Sequence, residues 1–373
     1  MADNPTSGTP GAEALRTLRQ KVEEVSLEIL SLLNRRAGIA LDIARHKHQA
    51  GLPIRDAHRE AQLLGQLAVA NQGPLDEPTV KALFRSILDA SVATMSGDTQ
   101  KALKVSSASG PRVVVDVRGQ RVGDGGRLYI AGPCSVESEE QLELAARGLA
   151  ARGVKFFRAG AYKPRTSPYA FQGLGEEGLR LLAQVARRYG LVTVSEATSL
   201  SNLPVVAEYV DVIQIGARNM YNYDLLREVG RIDKPVLLKR AFSATIDEWL
   251  CAAEYVALGG NERIILCERG VRAFGQETRA TLDLSAVPLL LQQSRLPVVV
   301  DVSHAAGRRD ILAPLTTAAF AVGAHAVMLE VHPDPDVALS DAQQQLSLGD
   351  FERLQREVLD QLSHTARALG SRA

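Results

Sequence analysis

The chain predicts an α/β barrel of the (β/α)8 TIM type behind an all-helical N-terminal segment, and three observations predict it. From Arg112 onward, eight short apolar runs alternate with stretches of helical periodicity. From Ala12 to Met95 there is no convincing strand, and the first helix carries a heptad seam. The stretch between them, SGDTQKALKVSSASGP, is small and polar. Eight parallel strands with intervening helices match the barrel better than a doubly wound sheet, which usually has about five or six strands. The expected organisation is a disordered N-terminus at 1–11, a three-helix domain at 12–95, a linker at 96–111 and the barrel at 112–373.

In the first helix Leu15, Leu18, Val22, Val25, Ile29 and Leu32 recur at spacings of three and four. The pattern continues through Ile39 and Ile43 until Gly51-Leu52-Pro53 stops it. Roughly 36 residues at 1.5 Å each give about 54 Å, longer than a small domain is wide. Short neighbours cannot cover that seam, so a second chain is the expected cover and the helical domain is expected to dimerise. Asp56 is placed to cap a second helix ending at Gly73, and Asp76 a third running to Met95. A hairpin, RVVVDVRGQRVGDGG, then precedes the eight strand runs RLYIAG, VKFFRAG, LVTVSEA, VDVIQIG, KPVLLKR, RIILCERG, PVVVDVSH and HAVMLEV.

Composition excludes several classes. The 43 Lys+Arg balance 43 Asp+Glu, so no bulk positive charge exists to hold nucleic acid. No apolar run approaches a membrane span, and MADNPTSGTPG lacks the features of a signal peptide. Three cysteines form no CxxC pair, which reads as a cytoplasmic protein without a disulfide framework.

In a TIM barrel the chemistry sits where strands end and loops begin. Those positions hold Cys134, Arg158, Glu196, Arg218, Lys239, Arg240, Arg269, His304 and Glu330. Crowded like charges at one rim cost energy unless a ligand balances them. The cations Arg158, Lys163, Arg165, Arg218, Lys239 and Arg269 call for a substrate with several phosphate or carboxylate charges. Cys134, His304, Glu330 and Asp341 offer a thiolate, an imidazole and two carboxylates. That mixture suits Mn, Fe, Co or Zn rather than Ca or Mg. A GxGxxG string at Gly173–Gly178 mimics a dinucleotide fingerprint. It does not follow its strand directly, and Glu176 and Glu177 would sit where a pyrophosphate must bind.

The motifs AGPCSVES, FFRAGAYKPRTSPYAFQGLG, QIGARNM, LLKR, ILCERG, DVSH and MLEVHPDP resemble the 3-deoxy-D-arabino-heptulosonate-7-phosphate (DAHP) synthases, the type with a fused chorismate mutase domain. The resemblance implies metal-dependent condensation of phosphoenolpyruvate with erythrose 4-phosphate, the first step of the shikimate pathway. It implies Cys134, His304, Glu330 and Asp341 as metal ligands. It implies Arg158, Lys163, Arg218, Lys239 and Arg269 at the phosphoenolpyruvate site, with Glu196 nearby. Lys163-Pro164-Arg165-Thr166 would hold the sugar phosphate, and Lys163 and Glu196 would be catalytic. LLKR is often followed by Gly in the family, and here by Ala241. The rival in the superfamily is 3-deoxy-octulosonate phosphate synthase, which KPRTS together with Cys134 disfavours.

The helical segment, LRTLRQKVEEVSLEILSLLNRRAGIALDIARHK followed by GLPIRDAHRE, resembles the all-helical chorismate mutases. Arg36 occupies an a position of the apolar seam, and Lys47 follows three turns along on nearly the same face. The resemblance implies a pocket for chorismate or prephenate from Arg36, Lys47, Arg59 and Glu60, with Asp56 and Ser91 in contact and Arg19 reaching in from a partner chain. Met95 stands where free-standing mutases place a Gln toward the breaking ether. The domain is therefore expected to bind chorismate or prephenate and restrain the barrel by feedback, and to isomerise chorismate as well, with a non-catalytic regulatory module as the alternative, in a homodimer or homotetramer.

Overall fold

The computed structural model describes residues 10–49, 52–101, 103–163, 169 and 171–370. It divides into two compact units at Ala102/Leu103.

The first unit is helical: α1 (Pro10–Gln49), α2 (Ala57–Ala70) and α3 (Glu77–Lys101). Asp56 caps α2 by accepting from the Arg59 N–H at 2.9 Å, and Asp76 accepts from Thr79 N–H at 2.9 Å. α2 ends at Ala70 rather than Gly73 because Asn71 turns extended and its side chain closes the next turn on Leu75 O and Gly73 N–H. α3 runs six residues past Met95 into the expected linker. SGDTQK has one glycine and no proline, so nothing there stops a helix already nucleated. Leu103, Val105 and Ser106 are buried within the second unit, so the small polar stretch is mostly structured. Residues 1–9 of the segment expected to be disordered lie outside the described residues. Leu15, Leu18, Val22, Val25, Ile29 and Leu32 are all about half exposed or more within one chain.

The second unit opens with the hairpin β1 (Val115–Val117) and β2 (Gln120–Val122). The predicted apolar runs then form β3 (Leu128–Gly132), β4 (Phe156–Arg158), β5 (Val192–Ala197), β6 (Val212–Ile215), β7 (Val236–Lys239), β8 (Ile264–Glu268), β9 (Val298–Asp301) and β10 (Ala326–Glu330). All neighbours pair in parallel, and β10 closes on β3 with Ala326 opposite Leu128. The expected TIM barrel is thus formed.

Side-chain parity divides each strand. Ile130, Phe156, Val192, Val212, Leu237, Ile265, Val299 and Met328 fill the interior. Phe157, Ile213, Leu238, Leu266, Val300 and Leu329 face the outer helices. Val115, Val117 and Val122 of the hairpin pack into the interior cluster and seal one end of it. The last inward side chains, at or just past the strand ends, meet at the open C-terminal mouth. The GxGxxG string lies at the start of a helix, Gly175–Arg188, separated from β4 by sixteen residues. No helix among the described residues is long and apolar enough to cross a membrane.

Candidate functional site

Parity decides which strand-end residues reach the mouth. Arg158, Glu196, Lys239, Arg269 and Glu330 each continue an interior series at a spacing of two. With Lys163, Arg218, His304 and Asp341 the first four converge on one cleft, whose lining also includes Gly216, Phe242 and Arg279; Glu330 is fully buried and paired with the cleft residue Arg158. Arg240 is out of phase and does not join them. It is buried on the outer side, where it donates to Glu268 and Asp283 at 2.8 Å each and to Ala244 O at 2.9 Å. Of the strand-end charges read as one rim, this one ties strand to loop. Pro164, Arg165 and Thr166 lie outside the described residues.

Cys134, His304, Glu330 and Asp341 come from four separate segments, yet one donor atom of each lies within 4.8 Å of the others. Two ligands of one ion at about 2.0–2.3 Å each are at most about 4.6 Å apart, so this cluster has the span of a coordination shell. Its donors are soft, borderline and hard together, which fits a divalent transition metal. Cys134 Sγ–H donates to Asp341 Oδ2 at 3.3 Å, and His304 Nε2 lies 3.2 Å from Glu330 Oε1. Asp341 reaches in from a left-handed backbone conformation at φ 49°, a strain that sites of this kind tolerate.

The second layer is equally ordered. Arg158 Nη1 donates to Glu330 Oε1 at 2.8 Å, and Gln344 Nε2 to Glu330 Oε2 at 2.6 Å. Burial raises Glu330, but His304, Arg158 and Lys163 outweigh it and hold its pKa at about 2. Burial, then the Glu330 charge, pushes the Cys134 thiol up to about 11, although Lys163 and Arg158 oppose this. A thiolate there therefore needs more positive charge than Lys163 and Arg158 supply, such as a divalent ion in contact. Lys163 Nζ donates to Cys134 O at 2.7 Å and to its Sγ at 3.0 Å. Asp301 is fully buried, accepts from Lys239 and from His304 N–H at 3.0 Å, and lies 2.8 Å from His304 Nδ1 without hydrogen-bond alignment. Metal-bound histidines commonly have such a carboxylate behind them.

Glu196 sits in a fitted niche. Gln214 Nε2 donates to its Oε2 at 2.9 Å. A Cβ added at Gly216 would meet Glu196 Oε1 at 2.1 Å, so only glycine leaves the carboxylate where it is. Gly216→Ala is expected to displace that carboxylate and lower turnover roughly tenfold or more, as misplacing a reacting group does. Steady-state kcat beside an unchanged thermal melt would check it, and an unaltered kcat would refute it.

Sequence reading missed Asp301, Gln214, Phe242, Arg279 and Gln344. Asp301 and Gln214 share the inward parity of the residues it found, and that signal was available. Arg279, 3.4 Å from Asp341 Oδ1, and Gln344 lie on loops with no periodicity.

In the helical unit, Arg36 Nη1 bonds Ser91 Oγ, and Lys47 Nζ donates to Ile54 O at 2.8 Å. Met95 is buried against Ala40, Ala44 and Ile54. Arg36, Ser91 and Met95 thus share the seam between α1 and α3, while Lys47 ties the end of α1 to the segment before α2. Asp56 is engaged as a helix cap, Arg59 reaches Gln62, and Glu60 holds Arg55. Arg19 is exposed in the single chain.

Residues 103–367 match the family described as DAHP synthetase I, and residues 18–96 match chorismate mutase type II. A phospho-2-dehydro-3-deoxyheptonate aldolase of Thermotoga maritima is 54% identical over 257 residues, covering 69% of this chain and 75% of that one. A 2-dehydro-3-deoxyphosphooctonate aldolase of Syntrophobacter fumaroxidans is 33% identical over 263 residues, covering 66% and 90%. The crystal structure of the Thermotoga DAHP synthase superposes with TM-score 0.67 at 51% identity, covering 71% of this chain and 77% of that one. A truncated form of the Thermotoga enzyme gives TM-score 0.64 at 48% identity, covering 71% and 97%.

Proposed function

The chain belongs to the DAHP synthetase I family, and from that premise we propose that its barrel condenses phosphoenolpyruvate with D-erythrose 4-phosphate and water to give DAHP and phosphate. One observation carries the reading: six cations line a single cleft, and two members of the four-donor cluster, His304 and Asp341, line it with them. Both substrates are multiply anionic, and so few other ligands would balance that cleft.

Cys134, His304, Glu330 and Asp341 would hold the metal. When bound, it supplies Lewis-acid polarisation of an aldehyde oxygen. The chain's own residues do the rest. Arg218 and Arg269, without carboxylate partners among the described residues, hold a phosphate. Arg158 and Lys239, already half-balanced by Glu330 and Asp301, orient a carboxylate. The enol carbon of phosphoenolpyruvate attacks the aldehyde carbon, and Lys163 Nζ delivers a proton to the aldehyde oxygen as it becomes a hydroxyl. Water then adds at the neighbouring carbon under Glu196, and phosphate leaves from that carbon. Pro164, Arg165 and Thr166 would seat the sugar phosphate.

The helical domain is proposed to bind chorismate or prephenate through Arg36, Lys47, Arg59 and Ser91, with Glu60 and Asp56 at the pocket edge. Arg19 of a second copy completes it. The exposed α1 seam from Leu15 to Leu32 supports a dimer, because an apolar stripe of that length is rarely left in water. The bound ligand restrains the barrel and is isomerised slowly, since Met95 offers no hydrogen bond like that of the mutase glutamine to the breaking ether.

The deciding experiment follows phosphoenolpyruvate loss with and without erythrose 4-phosphate; loss independent of the sugar would overturn the reading. The octulosonate alternative predicts a five-carbon acceptor. Erythrose 4-phosphate is expected to exceed arabinose 5-phosphate by about a hundredfold in kcat/KM, a difference of about 2.7 kcal/mol. Equal values for the two sugars would sink that choice.

A further inference from the structure

One wall of the cleft holds cations that form no ion pair with a carboxylate among the described residues. Arg269 is only 3% exposed, yet its N–H groups go to backbone carbonyls: Gly270 O at 3.4 Å and His304 O at 3.0 Å. Neither Arg269 nor Arg218 has a carboxylate within ion-pair distance among the described residues. A buried guanidinium in that state is costly, and a second one nearby adds repulsion.

Phe242 is within reach of both. Its ring centroid is 4.4 Å from Arg269 Cζ and 5.8 Å from Arg218 Cζ, within the reach of cation–π attraction. Arg272 flanks the same ring at 5.9 Å. The ring is also held in place. Phe242 O accepts from Arg272 N–H at 2.7 Å, tying the loop after β7 to the loop after β8. The preceding residue, Ala241, is buried, and its N–H points at Met220 Sδ at 3.2 Å. An aromatic ring in this spot attracts each guanidinium, and all three side chains line the cleft.

We propose that Phe242 is a positioning residue: its ring sets Arg269 and Arg218 as a two-guanidinium clamp for one phosphate dianion, that of phosphoenolpyruvate. The assignment of that phosphate rests on the condensation proposed above; the clamp itself rests on the geometry. Charge selects a phosphate over a carboxylate. Two unbalanced guanidiniums match a dianion, whereas Arg158 and Lys239 already face Glu330 and Asp301.

The test compares Phe242→Leu, which keeps apolar bulk without a π face, with Phe242→Trp, which keeps the face. Titration of the full-length, metal-loaded chain with inorganic phosphate and with phosphoenolpyruvate gives the two dissociation constants, and steady-state rates give both KM values. Phe242→Leu is expected to weaken phosphate and phosphoenolpyruvate about tenfold, or about 1.4 kcal/mol, with KM for erythrose 4-phosphate changed less than twofold. Phe242→Trp is expected to stay within threefold of wild type for all of them. Wild-type phosphate binding in Phe242→Leu overturns the proposal, and so does an equal rise in both KM values. A wild-type chain whose phosphate binding depends on the ring, but which does not consume phosphoenolpyruvate with the sugar, supports the clamp and overturns the condensation.

Discussion

Cys134→Ser and His304→Ala are each expected to lower condensation about a thousandfold or more, since Lewis-acid stabilisation is worth several kcal/mol at about 1.4 kcal/mol per factor of ten. The geometry explains why either one suffices. The four donor atoms lie within 4.8 Å of one another in a buried pocket, so losing one leaves an incomplete shell. Serine keeps the volume at 134 and the backbone bond from Cys134 N–H to Gln345 Oε1 at 2.9 Å, but it cannot supply a thiolate. His304→Ala also leaves Asp301 and Glu330 without the imidazole between them. The measurements are metal content by mass spectrometry, activity with and without chelator, and a thermal melt to confirm folding. Full activity in excess chelator with metal-free protein would refute the assignment of the quartet.

Deleting residues 1–102 is expected to abolish binding and turnover of chorismate and to leave a barrel that condenses its substrates without inhibition by chorismate or prephenate. The cut falls where the chain's own contacts divide, and the truncated Thermotoga relative, which matches across 97% of its length, supports a barrel that folds alone. In the full-length protein, Arg36→Ala is expected to remove inhibition while sparing condensation. Arg36 bonds Ser91 across the α1–α3 seam, so alanine removes both a cation and the tie between helices. Inhibition arises only if the ligand prefers one arrangement of the protein over another. Tenfold inhibition needs about 1.4 kcal/mol of such coupling. Undiminished prephenate inhibition of the truncated barrel would place the sensor elsewhere.

The barrel was legible in the sequence. Eight apolar runs alternating with helical stretches exceed the usual strand count of a doubly wound sheet and suit a closed parallel barrel with helices outside, and all eight became strands. The sequence also offered Cys134, His304, Glu330 and Asp341, which the fold brings together, and the cationic character of the mouth, because polar side chains can leave a packed interior at and just past the strand ends. Helix starts at Asp56 and Asp76 were readable because a cap is a local interaction. Helix ends were less so: α3 runs on through Lys101 where composition suggested a linker, and α2 stops early on an Asn71 turn.

Only the tertiary structure decided which strand-end charges act together. Arg240 and Lys239 are adjacent in sequence and both buried, yet parity sends Lys239 to Asp301 inside the barrel and Arg240 to Glu268 and Asp283 outside it. It alone placed Arg279 beside Asp341 and Phe242 against Arg269, since both come from loops whose paths obey no periodicity. Local sequence fixes dihedral preference and the face a side chain takes. Which charge a buried charge meets depends on closure of the barrel, and that closure joins residues more than a hundred positions apart.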